Sequence, residues 1–503
     1  MSETPNRPPI EAGRELARGS FWMISMRWVI RGIGFVSTII LARLLTPDDF
    51  GVVAMAMVGV AMLEVFTQSG SDLALLRNAE PTRDHYNAAW TLEIIQGCAL
   101  AVLLFITAPL VGGHFEDPRV TNVIRLLSLR AVVGGFQNIG VVTFRRELRF
   151  GREFQFGIVK KSVTFVVTLV AAFVLRSYWA LVIGQVVGRT VEVGVSYVMS
   201  DYRPGLSLRK VGDLWGFSRW LILARFSRLL NRQFDRWVVG SIAGAHAMGY
   251  YYVASDFASS PSDEVVLPMS RAAFPVYSRL RDDPKALVDA FTRVLSSMTS
   301  ISFVMGLGMA AVAHDFVSVV LGPKWLAAVP LIPWLGVFGA SYGVAHSLDA
   351  YMLATGRERL TALLTLVNAI LMAPVLWFAG QRFGIEGVAA AKAAMAIVFV
   401  LTLVVGCTRR SPLTATAVWR CVWPPLAACS VMLVCVKGVQ AVAVAPAPWI
   451  GLLRDVAIGA IVYIAATLVI WWLRGHPDGV ERDALRRARS LLAPLKSQGK
   501  VSP

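Results

Sequence analysis

The chain has 503 residues, of which 56% are hydrophobic and 16% charged, with a mean hydropathy of +0.59. A soluble globular chain carries about 25% charged residues, so this balance excludes a sizeable water-soluble domain and points to a polytopic membrane protein. The formal charge of +17 then reads as orientation in a bilayer and not as nucleic-acid binding, because Lys and Arg gather on the cytoplasmic side of membrane proteins.

Residues 1–19 are polar and lack a signal-peptide cleavage pattern, so they are expected to remain as a cytoplasmic segment before a signal anchor. A bilayer core needs roughly 20 apolar residues per helical crossing. Hydropathy windows predict fourteen crossings, near 20–42, 51–75, 88–111, 120–142, 157–175, 179–199, 216–240, 250–270, 294–313, 327–353, 360–379, 385–406, 417–436 and 452–473. The expected fold class is therefore all-α. Six crossings make an N-lobe over 20–199, a cytoplasmic linker covers 200–215, and six more make a C-lobe over 216–406. An appended pair occupies 407–473, and a basic cytoplasmic tail covers 474–503.

The loop charges test this order. With the N-terminus inside, and the charges at the ends of crossings five, thirteen and fourteen counted with the adjoining loops, inside segments hold 31 of the 49 Lys and Arg and outside loops only seven. Both termini are thus expected in the cytoplasm. Crossing seven carries five arginines and could instead lie flat at the interface. Removing it would turn the arginine-rich loops after crossings eight, ten and twelve outward, so the parity favours a spanning helix.

The two sets of six crossings look duplicated. An offset of 205 sets Pro118 on Pro323, Leu126 on Leu331 and Gly151-Arg152-Glu153 on Gly356-Arg357-Glu358. An offset of 198 aligns Ser20, Trp22, Arg27 and Gly51 with Ser218, Trp220, Arg225 and Gly249. Six crossings is an even number, so the copies share orientation and a pseudo-symmetry axis along the membrane normal.

Four stretches carry a resemblance: GSFWMISMRWVIRGIGFVSTIILARLLTPDDFGVVAMA, LRFGREFQFGIVKK, SIAGAHAMGYYYVASDFA and RDDPKALVDAF. The chain resembles the polysaccharide flippases of the multidrug, oligosaccharidyl-lipid and polysaccharide exporter superfamily, especially the colanic-acid exporter type. That resemblance implies two six-helix lobes around a cavity that opens alternately to each side of a bacterial inner membrane. It also implies a cargo made of an oligosaccharide repeat unit joined through pyrophosphate to an undecaprenyl carrier, for exopolysaccharide or lipopolysaccharide synthesis. A polysaccharide polymerase and a chain-length regulator are implied partners, beside the membrane lipids. The family has no invariant catalytic signature to carry over.

An unpaired charge in hydrocarbon costs about 2.5–3.5 kcal/mol on insertion scales, so intramembrane arginines face a watery cavity or a partner. Arg27 and Arg31 lie four apart in crossing one; Arg225, Arg228, Arg232 and Arg236 fall within about an 80° arc in crossing seven. Guanidinium forks bind phosphate oxygens in pairs. Arg27, Arg31, Arg225, Arg228 and Arg232, with Arg130 in crossing four, are the candidate cationic wall for an anionic lipid-linked cargo. Pairing with acids or snorkelling to headgroups is the competing reading, above all for Arg236 beside Asp235. Arg189 and Glu192, three apart, are expected to pair along one helix. Asp256 and Asp349 are candidates for coupling to protons or sodium, with counter-charge for arginine as the plainer alternative. Lys392 is expected at a cavity or a headgroup.

The five cysteines, Cys98, Cys407, Cys421, Cys429 and Cys435, read as apolar packing residues without a CxxC pair. No GxxxxGK[ST], HExxH or GxSxG pattern occurs, so neither an ATPase, a metalloprotease nor a serine hydrolase is expected, and no cofactor or metal. Gly306-Leu-Gly308 reads as a close helix contact. The alternatives are a drug exporter of the same superfamily, for which an acidic cavity would suit organic cations, and a non-transporting scaffold of a polysaccharide-assembly complex.

Overall fold

The computed structural model describes residues 28–67, 74–76, 78, 80–147, 149–212, 218–409, 411–443 and 446–475, without the side chains at 150, 218–228, 260 and 263. Among the described residues the regular structure is helical, and the chain divides into two compact units, 1–252 and 253–503. The long helices are α1 (28–44), α2 (Pro47–Thr67), α3 (Arg83–His114), α4 (Pro118–Gly135), α5 (Phe150–Leu175) and α6 (Trp179–Met199). They continue as α7 (Ser218–Ala258), α8 (Ser260–Arg279), α9 (Pro284–Ala311), α10 (Leu331–Ala354), α11 (Glu358–Thr408), α12 (Ala415–Val442) and α13 (Pro448–Leu473).

Seven of these are long and apolar enough to cross a membrane, or eight if the bent pair Pro118–Gly135 and Ile139–Arg146 forms one span. That measure undercounts crossings where two helices run together. At 1.5 Å per residue the 51 residues of α11 would reach about 76 Å, more than twice the roughly 30 Å hydrocarbon core. α11 is instead broken at Gly384, whose φ of 63° is left-handed. Its two halves are the regions expected as crossings eleven and twelve.

In α7 the break is at Gly244, φ 70°. The fold-back there is sharp enough for the Tyr251 hydroxyl to donate to Asp235 Oδ2 at 2.8 Å. A straight helix would hold residues sixteen apart at about 24 Å. α4 bends by 68° into the short helical run Ile139–Arg146. Asn138 builds that corner, accepting from the Gly140 amide at 2.9 Å and donating to the Tyr202 carbonyl at 2.7 Å.

The segment Thr46–Gly51 organises the first unit residue by residue. Thr46 and Asp49 close a capping box, with the Thr46 amide and hydroxyl donating to Asp49 Oδ2 at 2.9 and 2.7 Å and the Asp49 amide donating back to Thr46 Oγ1 at 3.3 Å. Pro47 opens α2, where its missing N–H is not needed. The other Asp49 oxygen accepts from the Tyr178 amide at the start of α6, 2.8 Å away. Asp48 pairs with Arg119, which also grips Asp117, the N-cap of α4, at 2.7 Å. Arg119, in the first turn of α4, thereby ties the first turn of α2 to the N-cap of its own helix.

The duplicated glycines make reciprocal contacts. A Cβ on Gly51 would stand 1.7 Å from the Ala245 carbonyl oxygen, and one on Gly249 would stand 1.8 Å from that of Pro47. Under the offset of 198, Pro47 corresponds to Ala245 and Gly51 to Gly249. Each copy thus offers its glycine to the other copy's helix start, as at a two-fold interface where residue i meets j and j meets i.

In the second unit small residues again set the helix spacing. A Cβ on Gly306 would lie 2.2 Å from the Gly336 carbonyl oxygen, so α9 and α10 touch through their backbones, the close contact expected at Gly306. The pair α12 and α13 docks on α9, where Tyr463 donates to the Ser300 carbonyl at 3.0 Å.

Gly51→Ala and Gly249→Ala are expected to destabilise the protein by about 1–3 kcal/mol each, because backbone must move to admit the methyl group. Gly113→Ala, at a position open to solvent, should be neutral or slightly stabilising. Thermal unfolding of the purified variants in detergent measures all three.

Candidate functional site

The first half of α7 runs as helix from Ser218 to the break at Gly244, so Arg225, Arg228, Arg232 and Arg236 share one side of one helix over about 16 Å. Arg232 is exposed and Arg236 half-buried. The side chains of Arg225 and Arg228 lie outside the described ones, and Arg27 lies outside the described residues altogether. Arg31 on α1 and Arg130 on α4 are both half-buried. Arg125, five residues before Arg130, lies over the Phe105 ring at 5.3 Å. Arg236 lies over the Tyr252 ring at 5.1 Å, while Tyr251 takes the buried Asp235 as described.

The Arg189–Glu192 pair forms along α6 as expected, at 2.7 Å. It is part of a larger cluster: Lys160 on α5 reaches the other Glu192 oxygen at 2.5 Å, and Arg189 also donates to the Gly134 carbonyl at 3.2 Å. Glu192 is only 4% exposed. Two cations and two carboxylate oxygens leave the buried acid satisfied.

The predicted crossing five, 157–175, already contains Lys160 and Lys161, although the charge count takes both with the cytoplasmic side. α5 begins at Phe150 and carries both a further three turns into the helix. The packing of Lys161 is what the sequence does not reveal: its ammonium lies 3.7 Å from where a Cβ on Gly34 would stand. Gly34 is three residues from Arg31, a neighbouring position on the same face of α1. The structure thus brings Lys161 against α1 about one turn from Arg31, a contact not foreseen from the sequence.

In the second unit, Asp256 on α7 and Asp349 on α10 are half-buried and sit on different helices. The His346 ring lies tilted against Tyr342, 4.2 Å between ring centroids. Lys392 is 4% exposed and points its ammonium at the Phe338 ring, 4.3 Å from the centroid, a desolvated cation–π contact. No group of three or more His, Cys, Asp or Glu able to hold a metal occurs among the described residues.

Residues 40–330, more than half of the chain, match the family described as polysaccharide biosynthesis protein. The chain belongs to that family. As a member of it, the chain is 26% identical over 381 residues to the lipopolysaccharide biosynthesis protein WzxC of Escherichia coli strain K12, covering 74% of this chain and 76% of the relative. It is 22% identical over 346 residues to the succinoglycan biosynthesis transport protein ExoT of Rhizobium meliloti strain 1021, covering 68% and 69%. Among solved structures, the lipid II flippase MurJ in an inward closed conformation aligns with a TM-score of 0.73 at 13% identity, over 89% of this chain and 98% of that one. That likeness shows the fold: this polysaccharide biosynthesis protein is an all-α, multi-pass membrane protein built like MurJ. The resemblance carried by the N-terminal run and the LRFGREFQFGIVKK loop agrees with the family and its relatives.

Removing the acid at the centre of the buried cluster leaves two cations facing each other in a partly desolvated site. Glu192→Ala is expected to cost roughly 3 kcal/mol, read as a lower unfolding temperature and reduced abundance in the membrane. Glu192→Gln should be intermediate, because it keeps an acceptor for one of the two donors.

Proposed function

We propose that the protein is a flippase that carries an undecaprenyl-pyrophosphate-linked oligosaccharide repeat unit across a bacterial inner membrane by alternating access, supplying exopolysaccharide or lipopolysaccharide synthesis. The observation that carries this reading is the run of four arginines along one side of the first half of α7 in a member of the polysaccharide biosynthesis family. The names of the relatives support it: WzxC is a lipopolysaccharide biosynthesis protein and ExoT a succinoglycan biosynthesis transport protein. The MurJ-like fold is compatible with it.

In this reading Arg225, Arg228 and Arg232 on α7, with Arg27 and Arg31 of the predicted first crossing, Lys161 on α5 and Arg130 on α4, form the anion-binding wall of the translocation path. A pyrophosphate entering hydrocarbon loses its hydration, and guanidinium groups replace that water with charge-assisted hydrogen bonds. Several arginines spread over about 16 Å let the phosphates pass from one to the next, so that no single site holds the cargo too tightly. The cargo is moved and not chemically changed, so the protein acts as a transporter without catalytic residues. Asp256 and Asp349 are the proposed coupling acids. Both termini lie in the cytoplasm, and the delivered unit passes to a polymerase and its chain-length regulator.

Arg228→Ala should lower glycan export about tenfold, the loss of about one charge-assisted contact, with the lipid-linked unit accumulating and protein abundance unchanged. Arg228→Lys keeps the charge but loses the fork, so export should fall less. Loss of the protein from the membrane in Arg228→Ala would instead assign the arginine to structural pairing. Normal export from cells lacking the protein would remove the flippase reading.

Reporter fusions after Arg145 and after Arg281 should both read cytoplasmic. A periplasmic signal at the second would mean that the first half of α7 does not span, and the anion-binding wall would lose its helix.

A further inference from the structure

The two halves of α11 run antiparallel, because Arg357 at its start donates through Nη1 to carbonyls at its end: Gly406 and Cys407 at 3.1 Å and Arg409 at 2.8 Å. Between the halves lies a groove of about 670 Å³. Its floor is Leu360, Leu364, Val398, Leu401 and Val405, and Arg357 and Arg409 stand together at one end. Leu401 is 59% exposed. Thr402 also lines the groove, but its hydroxyl is spent on the Phe399 carbonyl at 2.7 Å. The groove therefore makes no polar demand along its length and a cationic one at its mouth.

Its dimensions fit one leaflet. The lining positions between Val398 and Arg409 recur at three and four residues, a single helical stripe. Eleven residues at 1.5 Å rise give about 16 Å, half of a hydrocarbon core about 30 Å thick. The groove is bounded by one helix stripe on each side, a width suited to one chain. A glycerophospholipid brings two chains and a single phosphate; a polyprenyl pyrophosphate brings one chain and two phosphates.

We propose that this groove holds the phosphate-proximal part of the single polyprenyl chain of the lipid-linked cargo, with its phosphates at Arg357 and Arg409. The proposal rests on the flippase reading for the identity of the cargo and adds a place for the lipid separate from the arginines of α7. Arg357 is held rigid by the carbonyls it clamps, so it offers its remaining donors without reorganising. Arg409 is exposed at the helix end and supplies the second cation. By the loop charges this mouth faces the cytoplasm, where the cargo is loaded.

The test uses the full-length protein in phosphatidylcholine nanodiscs with the photoreactive residue p-benzoylphenylalanine at position 401, and undecaprenyl phosphate as the probe. Illumination should yield a covalent adduct that a tenfold excess of phosphatidylglycerol leaves largely intact. Arg409→Gln should lower the yield about fivefold, the effect of one interfacial cation. The same photoreactive residue at position 434, exposed on α12, should give little adduct. Equal labelling from 401 and 434, full competition by phosphatidylglycerol, or an unchanged yield in Arg409→Gln would overturn the proposal. Because the adduct forms without transport, those results leave the flippase reading standing. Loss of that reading in an export assay, with labelling intact, would leave a lipid site without a transport role.

Discussion

A charge inside hydrocarbon must find a partner, an aromatic face or water, and this constraint orders much of the structure. Glu192 is closed by Lys160 and Arg189, Asp235 accepts from Tyr251, and Lys392 rests on Phe338. In the C-terminal pair, the buried Asp455 accepts from Arg454 at 2.8 Å and Gln440 at 2.7 Å. Each arrangement ties two helices, or two halves of one helix, that would otherwise be held only by packing in a solvent as apolar as themselves. The first half of α7 stands apart in composition, with five arginines to one aspartate before Gly244. The proposed anion-binding path rests on that imbalance.

Where charges do not join the helices, glycines do. Gly51 and Gly249 bring two helix starts into backbone contact in a reciprocal pair, and Gly306 with Gly336 does the same for α9 and α10. The left-handed glycines at 244 and 384 turn the chain back between crossings without an extended loop. The residues that the offset of 198 sets in correspondence, Gly51 with Gly249 and Pro47 with Ala245, meet at that contact.

Much of the architecture was legible because long apolar runs have few structural alternatives. The halves of α11 and the helices α12 and α13 lie close to their expected limits, and the helical spacing of Arg189 and Glu192 was enough to pair them. The Thr46–Gly51 segment was visible as a motif, but its role was not: hydropathy cannot tell that Asp48 will meet Arg119 or Asp49 the Tyr178 amide. The bend at Asn138 was hidden because a hydropathy window does not register direction. The contact of Lys161 with α1 was hidden because hydropathy does not tell which helices pack together. The groove along α11 was invisible because it exists only once two distant stripes of one helix are folded together.

The central claim is that the protein itself moves a lipid-linked saccharide through a cationic path. Purified protein reconstituted into sealed vesicles with a polyprenyl-pyrophosphate oligosaccharide in one leaflet tests it directly, with a membrane-impermeant glycosidase outside reporting how much cargo arrives. The account predicts that cargo becomes digestible at a rate proportional to protein content, and that free inorganic pyrophosphate competing for the arginines slows its arrival. Cargo that stays protected from the glycosidase for as long as in protein-free vesicles would contradict it.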